Sequence, residues 1–181
     1  MKRLLALAFA LSGFAAFVYG SAATDKAANL IPDLVSTVDR SLAAHDRLVA
    51  IGAPAVPALI KALASRDEVI RTQSAEILVK IGRASIPALI DGLKHPEWRV
   101  RAWSALALGE VGHPKAVSPL IAALDDSDWW VRSRAALALA NYADSRATRA
   151  LNALALDEDP RVRSRALFAL QLQDELAANR R

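Results

Sequence analysis

The strongest constraint on this chain is that it repeats itself. The stretch WRVRAWSALALGEVG (98–112) returns as WWVRSRAALALANYA (129–143) and PRVRSRALFALQLQD (160–174), with a fainter copy, EVIRTQSAEILVKIG, at 68–82. Aligned on Arg71, Arg101, Arg132 and Arg163, the copies are 30, 31 and 31 residues apart. Seven residues after each arginine stands a leucine: Leu78, Leu108, Leu139 and Leu170. A second series runs upstream of the first: VPALIKAL (56–63), IPALIDGL (86–93), VSPLIAAL (117–124) and the weaker TRALNALAL (148–156). Its leucines, Leu59, Leu89, Leu120 and Leu151, keep the same spacing. A unit this short buries its apolar face only against its neighbours, so the period predicts a solenoid.

Each unit reads as two helices. Pro57, Pro87 and Pro119 lie near the start of the first, where a missing amide proton costs little. The second follows Asp67, Glu97, Asp128 or Asp159, acidic residues that suit a helix start. Glycines in IGR (81–83) and VGH (111–113) suit its end. Hydrophobic residues make up 54% of the chain, chiefly Ala and Leu, with only seven glycines, which favours packed helices over sheet. The predicted fold is all-α, a solenoid of stacked antiparallel helix pairs. Four units are expected at about 53–82, 83–112, 113–146 and 147–173. A shortened capping unit occupies 24–52, where IPDLV resembles VPALI and RLVAIG resembles ILVKIG. Residues 174–181 read as a polar tail.

The pattern of Asp, two residues, Val-Arg and then alanines with Ala-Leu resembles short HEAT repeats, the PBS-lyase HEAT-like type, across roughly residues 30–173. That resemblance implies a scaffold more than a catalyst. Deoxyhypusine hydroxylases of this class hold iron with His-Glu pairs, and no such dipeptide occurs here. Bilin lyases of this class act on cytosolic phycobiliproteins, which fits poorly with the N-terminus described next. The chain has three histidines, and His95 and His113 sit beside prolines as turn or cap residues. His45 falls in the irregular first unit. There is no cysteine, and no HExxH, Walker, GxSxG or dinucleotide motif. No catalytic residue, metal or cofactor is therefore assigned.

Lys2 and Arg3 precede an uncharged apolar run, Leu4 to Val18, and the small residues GSAAT. This is the pattern of an export signal, with cleavage expected after Ala23, or alternatively after Ala22 or Gly20. The other reading is a membrane anchor, for which the run is short. Localisation is expected to be periplasmic or secreted. Cleavage would leave 21 Lys+Arg against 19 Asp+Glu, so the working protein is less basic than its pI of about 9.8 suggests. Nucleic acid becomes an unlikely partner.

Two sets of side chains remain. Arg71, Arg101, Arg132 and Arg163 follow Asp67, Glu97, Asp128 and Asp159 by four residues, acid first, which predicts a structural ion-pair ladder within each second helix. The alternative is an anion-binding groove. Another face of the second helices carries Trp98, Trp103, Leu106 and Glu110, then Trp129, Arg134, Leu137 and Asn141, then Arg165, Phe168 and Leu172. An apolar face with Trp and Arg is expected to bind a partner protein on the concave side. The competing reading is that these tryptophans cover unit junctions. Polyanion binding and an enzyme or enzyme-accessory role are the rival functions.

Overall fold

The computed structural model describes residues 22–179. The apolar run Leu4 to Val18 and Ser21 lie outside the described residues. Helix α1 covers residues 22–30. It is followed by α2 (Val38–Ile51), α3 (Val56–Ala62), α4 (Glu68–Ile81), α5 (Ile86–Gly92), α6 (Trp98–Val111), α7 (Val117–Ala122), α8 (Trp129–Leu139), α9 (Ser145–Leu154) and α10 (Pro160–Ala178), joined by short 3-10 turns. No strand occurs among the described residues. Short first helices (α3, α5, α7, α9) alternate with longer second helices (α4, α6, α8, α10). Thr24 is tied into the first layer, donating through Oγ1 to the Pro54 carbonyl at 3.2 Å.

The helix boundaries follow from local chemistry. Asp67 takes the Val69 and Ile70 amides, Asp128 takes Trp130, and Asp159 takes Arg161, so orphan donors at these helix starts are satisfied. Glu97 occupies the same position but accepts no such bond. At the other end, Gly82 and Gly112 adopt φ +68°, a left-handed turn that glycine enters without a Cβ penalty. Asp144 caps α9 by accepting from the Arg146 amide.

The second helices pack on one another far more extensively than the first helices do, so their layer is the inner one. Small residues permit this. A Cβ on Gly109 would stand 2.6 Å from the Ala138 Cα, so α6 and α8 approach as closely as they do only because that position is glycine. Leu59, Leu89, Leu120 and Leu151 are completely buried between layers, as are Leu78, Leu108 and Leu139. Leu170, on the last described helix, is only partly buried. Polar side chains of the last two units finish the preceding helix. The Tyr142 hydroxyl donates to the Leu108 carbonyl at 2.6 Å, Asn141 to that of Gly109, and Gln173 to those of Leu139 and Tyr142. Burial pushes the Tyr142 hydroxyl up to about 12, so it remains a donor at any physiological pH.

The C-terminal end departs from the expected tail. Residues 174–178 continue α10 as helix, with Gln171 bonded to Glu175 one turn on.

Candidate partner-binding site

Both arginine sets lie on the second helices but meet different surroundings. At the junctions, Nη1 of Arg71, Arg101, Arg132 and Arg163 donates to the carbonyl six residues earlier: Ser65, His95, Asp126 and Asp157, at 2.7–2.9 Å. Arg101 also grips Asp126 through Nε and Nη2, at 2.7 and 2.9 Å. Arg132 grips Asp157 in the same way, at 2.9 and 3.0 Å. The ladder is therefore real in its middle rungs, but its pairing differs from that expected. The acid comes from the next unit, 25 residues on, rather than from four residues back. The reason is geometric: Asp67, Asp128 and Asp159 turn toward the helix-start amides, while Glu97 and Asp159 pair with Arg99 and Arg161.

The ladder fades at both ends. Ser65, His95, Asp126 and Asp157 each accept the amide two residues on, which shapes the loop. In the rung for Arg71 the loop residue is His95 rather than an aspartate, and Arg71 Nε is buried without a partner. Arg163 reaches only the carbonyls of Asp157 and Glu158. Hydrogen bonding to Asp126 and Asp157 raises the pKa of Arg101 and Arg132. Burial pushes the Asp157 carboxyl up, but its bonds to Arg132 and to the Asp159 amide outweigh this and hold it below 3.8. Arg101 and Arg132 thus clamp unit to unit and offer little to a ligand.

The inner face is different. The Arg134 guanidinium lies between two indoles, 4.4 Å from the Trp130 ring centre and 5.5 Å from that of Trp103. It makes no hydrogen bond or ion pair among the described residues, and burial followed by the charge of Arg165 lowers its pKa. Trp129 and Trp130 meet edge to face at 5.2 Å. Arg161 covers Trp129 at 3.5 Å and Arg99 covers Trp98 at 4.6 Å. Arg99 and Arg161 are at the same time ion-paired with Glu97 and Asp159, whereas Arg134 has only its two indoles. Trp103 and Trp129 also lean on the core, so part of each ring covers a unit junction. Leu106 and Leu137 are half-buried, and Arg165 and Phe168 are exposed. A groove of about 510 Å³ runs beside them, lined by Pro160, Arg161, Ser164, Arg165 and Phe168.

Trp130 was not expected in this constellation. Its register position holds Val69, Arg99 and Arg161 in the other units, so the repeat pattern does not single it out. The available signal was its spacing of four from Arg134, one helical turn, which places an arginine over an indole. Asn141, expected on the same helix face, instead lies in the turn two residues beyond the end of α8, where it is engaged with the Gly109 carbonyl.

A family profile for HEAT repeats matches residues 86–171, the stretch that carries both the ladder and the tryptophans. Residues 86–171 are HEAT repeats. Human deoxyhypusine hydroxylase is similar in structure, with a TM-score of 0.55 and 29% identity over 66% of this chain; this chain spans 43% of that one. A chain from the CpcE–CpcF complex of phycocyanin lyase of Nostoc sp. PCC7120 gives a TM-score of 0.59 and 24% identity, covering 82% of this chain and 98% of that chain. An engineered protein gives 0.50 and 20%, covering 86% and 76%. At 24% and 20% identity the last two likenesses concern the fold alone. No match was found among curated protein sequences. Among the described residues, no group of three or more His, Asp or Glu side chains is placed to hold a metal ion. No described helix is long and apolar enough to cross a membrane.

Proposed function

We propose that this HEAT-repeat protein is an exported, non-catalytic scaffold whose inner face binds a partner protein. The single observation that supports this most is Arg134. A cation stacked between Trp103 and Trp130, partly buried and without an ion-pair partner, is a group placed to receive a partner's carboxylate. Its apolar neighbours Leu106, Leu137 and Phe168 supply desolvating surface around it, as binding hot spots require. Export rests on the Lys2/Arg3 start, the apolar run and the small residues before Thr24, whose side chain is held in the fold. The mature protein would begin at Thr24.

The test is capture from an envelope extract on the immobilised mature chain. A protein retained by the wild type at both 0.15 and about 0.5 M salt, and lost from the Trp103→Ala and Arg134→Ala variants, supports the reading. Release of all bound material by that salt step would instead mark polyanion binding, whose affinity falls steeply with ionic strength.

A further inference from the structure

The inner groove is not uniform along its length. Toward α8 and α10, beside the Arg161–Asp159 pair, stand the guanidiniums of Arg134 and Arg165, neither of which forms an ion pair, with only the more distant charge of Glu68 acting on Arg134. Toward α2 and α4 lies a cleft of about 780 Å³ of opposite character. Four of the seven large apolar side chains exposed among the described residues converge there: Val35, Val38, Leu42 and Val69, with Val38 83% and Leu42 62% exposed. Its rim carries Asp46, Asp67 and Glu76. Its one cation, Lys80, is already engaged, donating to Nε2 of the buried His45 at 2.7 Å. Burial and the Lys80 charge keep that imidazole neutral, so it accepts the bond and adds no positive charge to the cleft. Both ends belong to one surface, because Gln73, Glu76 and Lys80 of α4 are in register with the inner-face residues of α6 and α8. The charge of Glu68, at the start of α4, is also felt at Arg134 on α8.

We infer that the groove takes a dipolar polypeptide segment in one orientation, with its carboxylates on Arg134 and Arg165 and an aliphatic side chain beside a basic one in the α2–α4 cleft. The inference rests on the inner-face reading above and adds a second anchor and a direction to it. A partner carrying acid at both ends would meet Asp46 and Glu76, and one that is basic throughout would meet two arginines. From α4 to α10 there are three helix-to-helix steps of about 9–10 Å, which roughly eight or nine extended residues span.

The probe is a synthetic peptide with Lys-Leu-Leu at one end and Leu-Glu-Glu at the other, joined by alternating Ser and Gly. All four tryptophans lie on α6 and α8, so intrinsic fluorescence reports on one half of the groove. Saturable binding is expected, weakened at least tenfold by Leu42→Glu and by Arg165→Glu. A nitroxide on the acidic end should quench tryptophan emission more strongly than the same label on the basic end. Leu42 and Arg165 are exposed, so both variants should keep the wild-type melting temperature. Should Leu42→Glu lower it, Val38→Glu carries the same test.

Absence of saturable binding at millimolar peptide, indifference to either charge variant, or stronger quenching from the basic end overturns the inference. Capture of a protein partner that is lost with Arg134→Ala but kept with Leu42→Glu and Val38→Glu leaves the inner-face reading standing and removes this one.

Discussion

Arg132 and Arg134 stand two residues apart on α8 and serve different regions of the molecule. Arg132 points into the junction, where Asp157 of the next unit and the Asp126 carbonyl occupy its donors and its side chain is 10% exposed. Arg134 points into the inner groove, where two indoles hold it and no carboxylate pairs with it among the described residues. The same residue type on the same helix is a structural clamp in one direction and an open recognition group in the other. What separates them is whether the repeat supplies an acid. The loop before the next second helix places an aspartate at Arg132, and no unit places one at Arg134.

The first way to break the comparison is to remove the clamp. Arg132→Ala leaves Asp157 largely buried without its counter-charge and should cost about 2–4 kcal/mol of stability. Leu139→Ala, which empties a fully buried site, serves as a reference at about 2–5 kcal/mol. Denaturant melts report both, and partner affinity measured below the transition should stay near wild type in Arg132→Ala. Next in size is Arg134→Ala, expected to weaken partner binding by about 1–2 kcal/mol while changing stability by less than about 0.5 kcal/mol.

How much of this was legible in the sequence differs between the two regions. The period, the helix starts at Asp67, Asp128 and Asp159, and the glycine ends at Gly82 and Gly112 follow from local chemistry, and the structure has them. The ladder's pairing was not legible. Spacing along one helix links Asp128 to Arg132, and only the stacking of units brings Asp157 within reach. Trp130 escaped notice because it breaks the repeat rather than following it. The α2–α4 cleft was unreadable for a related reason. Its apolar side chains come from an irregular unit whose register against α4 is set by packing, including the Ser41–Gln73 bond at 3.1 Å.

A smaller effect sharpens the account of the junction. His95 accepts the Glu97 amide at 3.1 Å, the role that Asp126 and Asp157 play in the later loops. His95→Asp keeps that acceptor and places a carboxylate within reach of Arg71, whose Nε has no partner. It should stabilise the array by about 1 kcal/mol, read as a rise in the denaturation midpoint. An unchanged or lower midpoint would show that the 30-residue spacing of this unit holds the two groups apart.

The smallest effect is a pH dependence at the other end. Burial, then Lys80, lowers the His45 pKa from 6.5, with Glu76 and Asp46 acting in the opposite sense. Above 6.5 both folded and unfolded chains hold the imidazole neutral, and no stability is lost. Below it the unfolded chain binds the proton first, so stability should fall as pH drops through 6.5 and level off below the folded value. His45→Gln should flatten that segment of the stability–pH curve.

The central claim is that the inner face, not the junction, meets the partner. The most direct measurement is paired: melting temperature and capture of the partner from envelope extract for Arg134→Glu and Arg132→Ala side by side. The account predicts that Arg134→Glu melts as the wild type does but retains no partner, while Arg132→Ala melts several degrees lower and retains it. An Arg134→Glu chain that keeps the partner, or an Arg132→Ala chain that loses it while its melting is unchanged, would contradict the account.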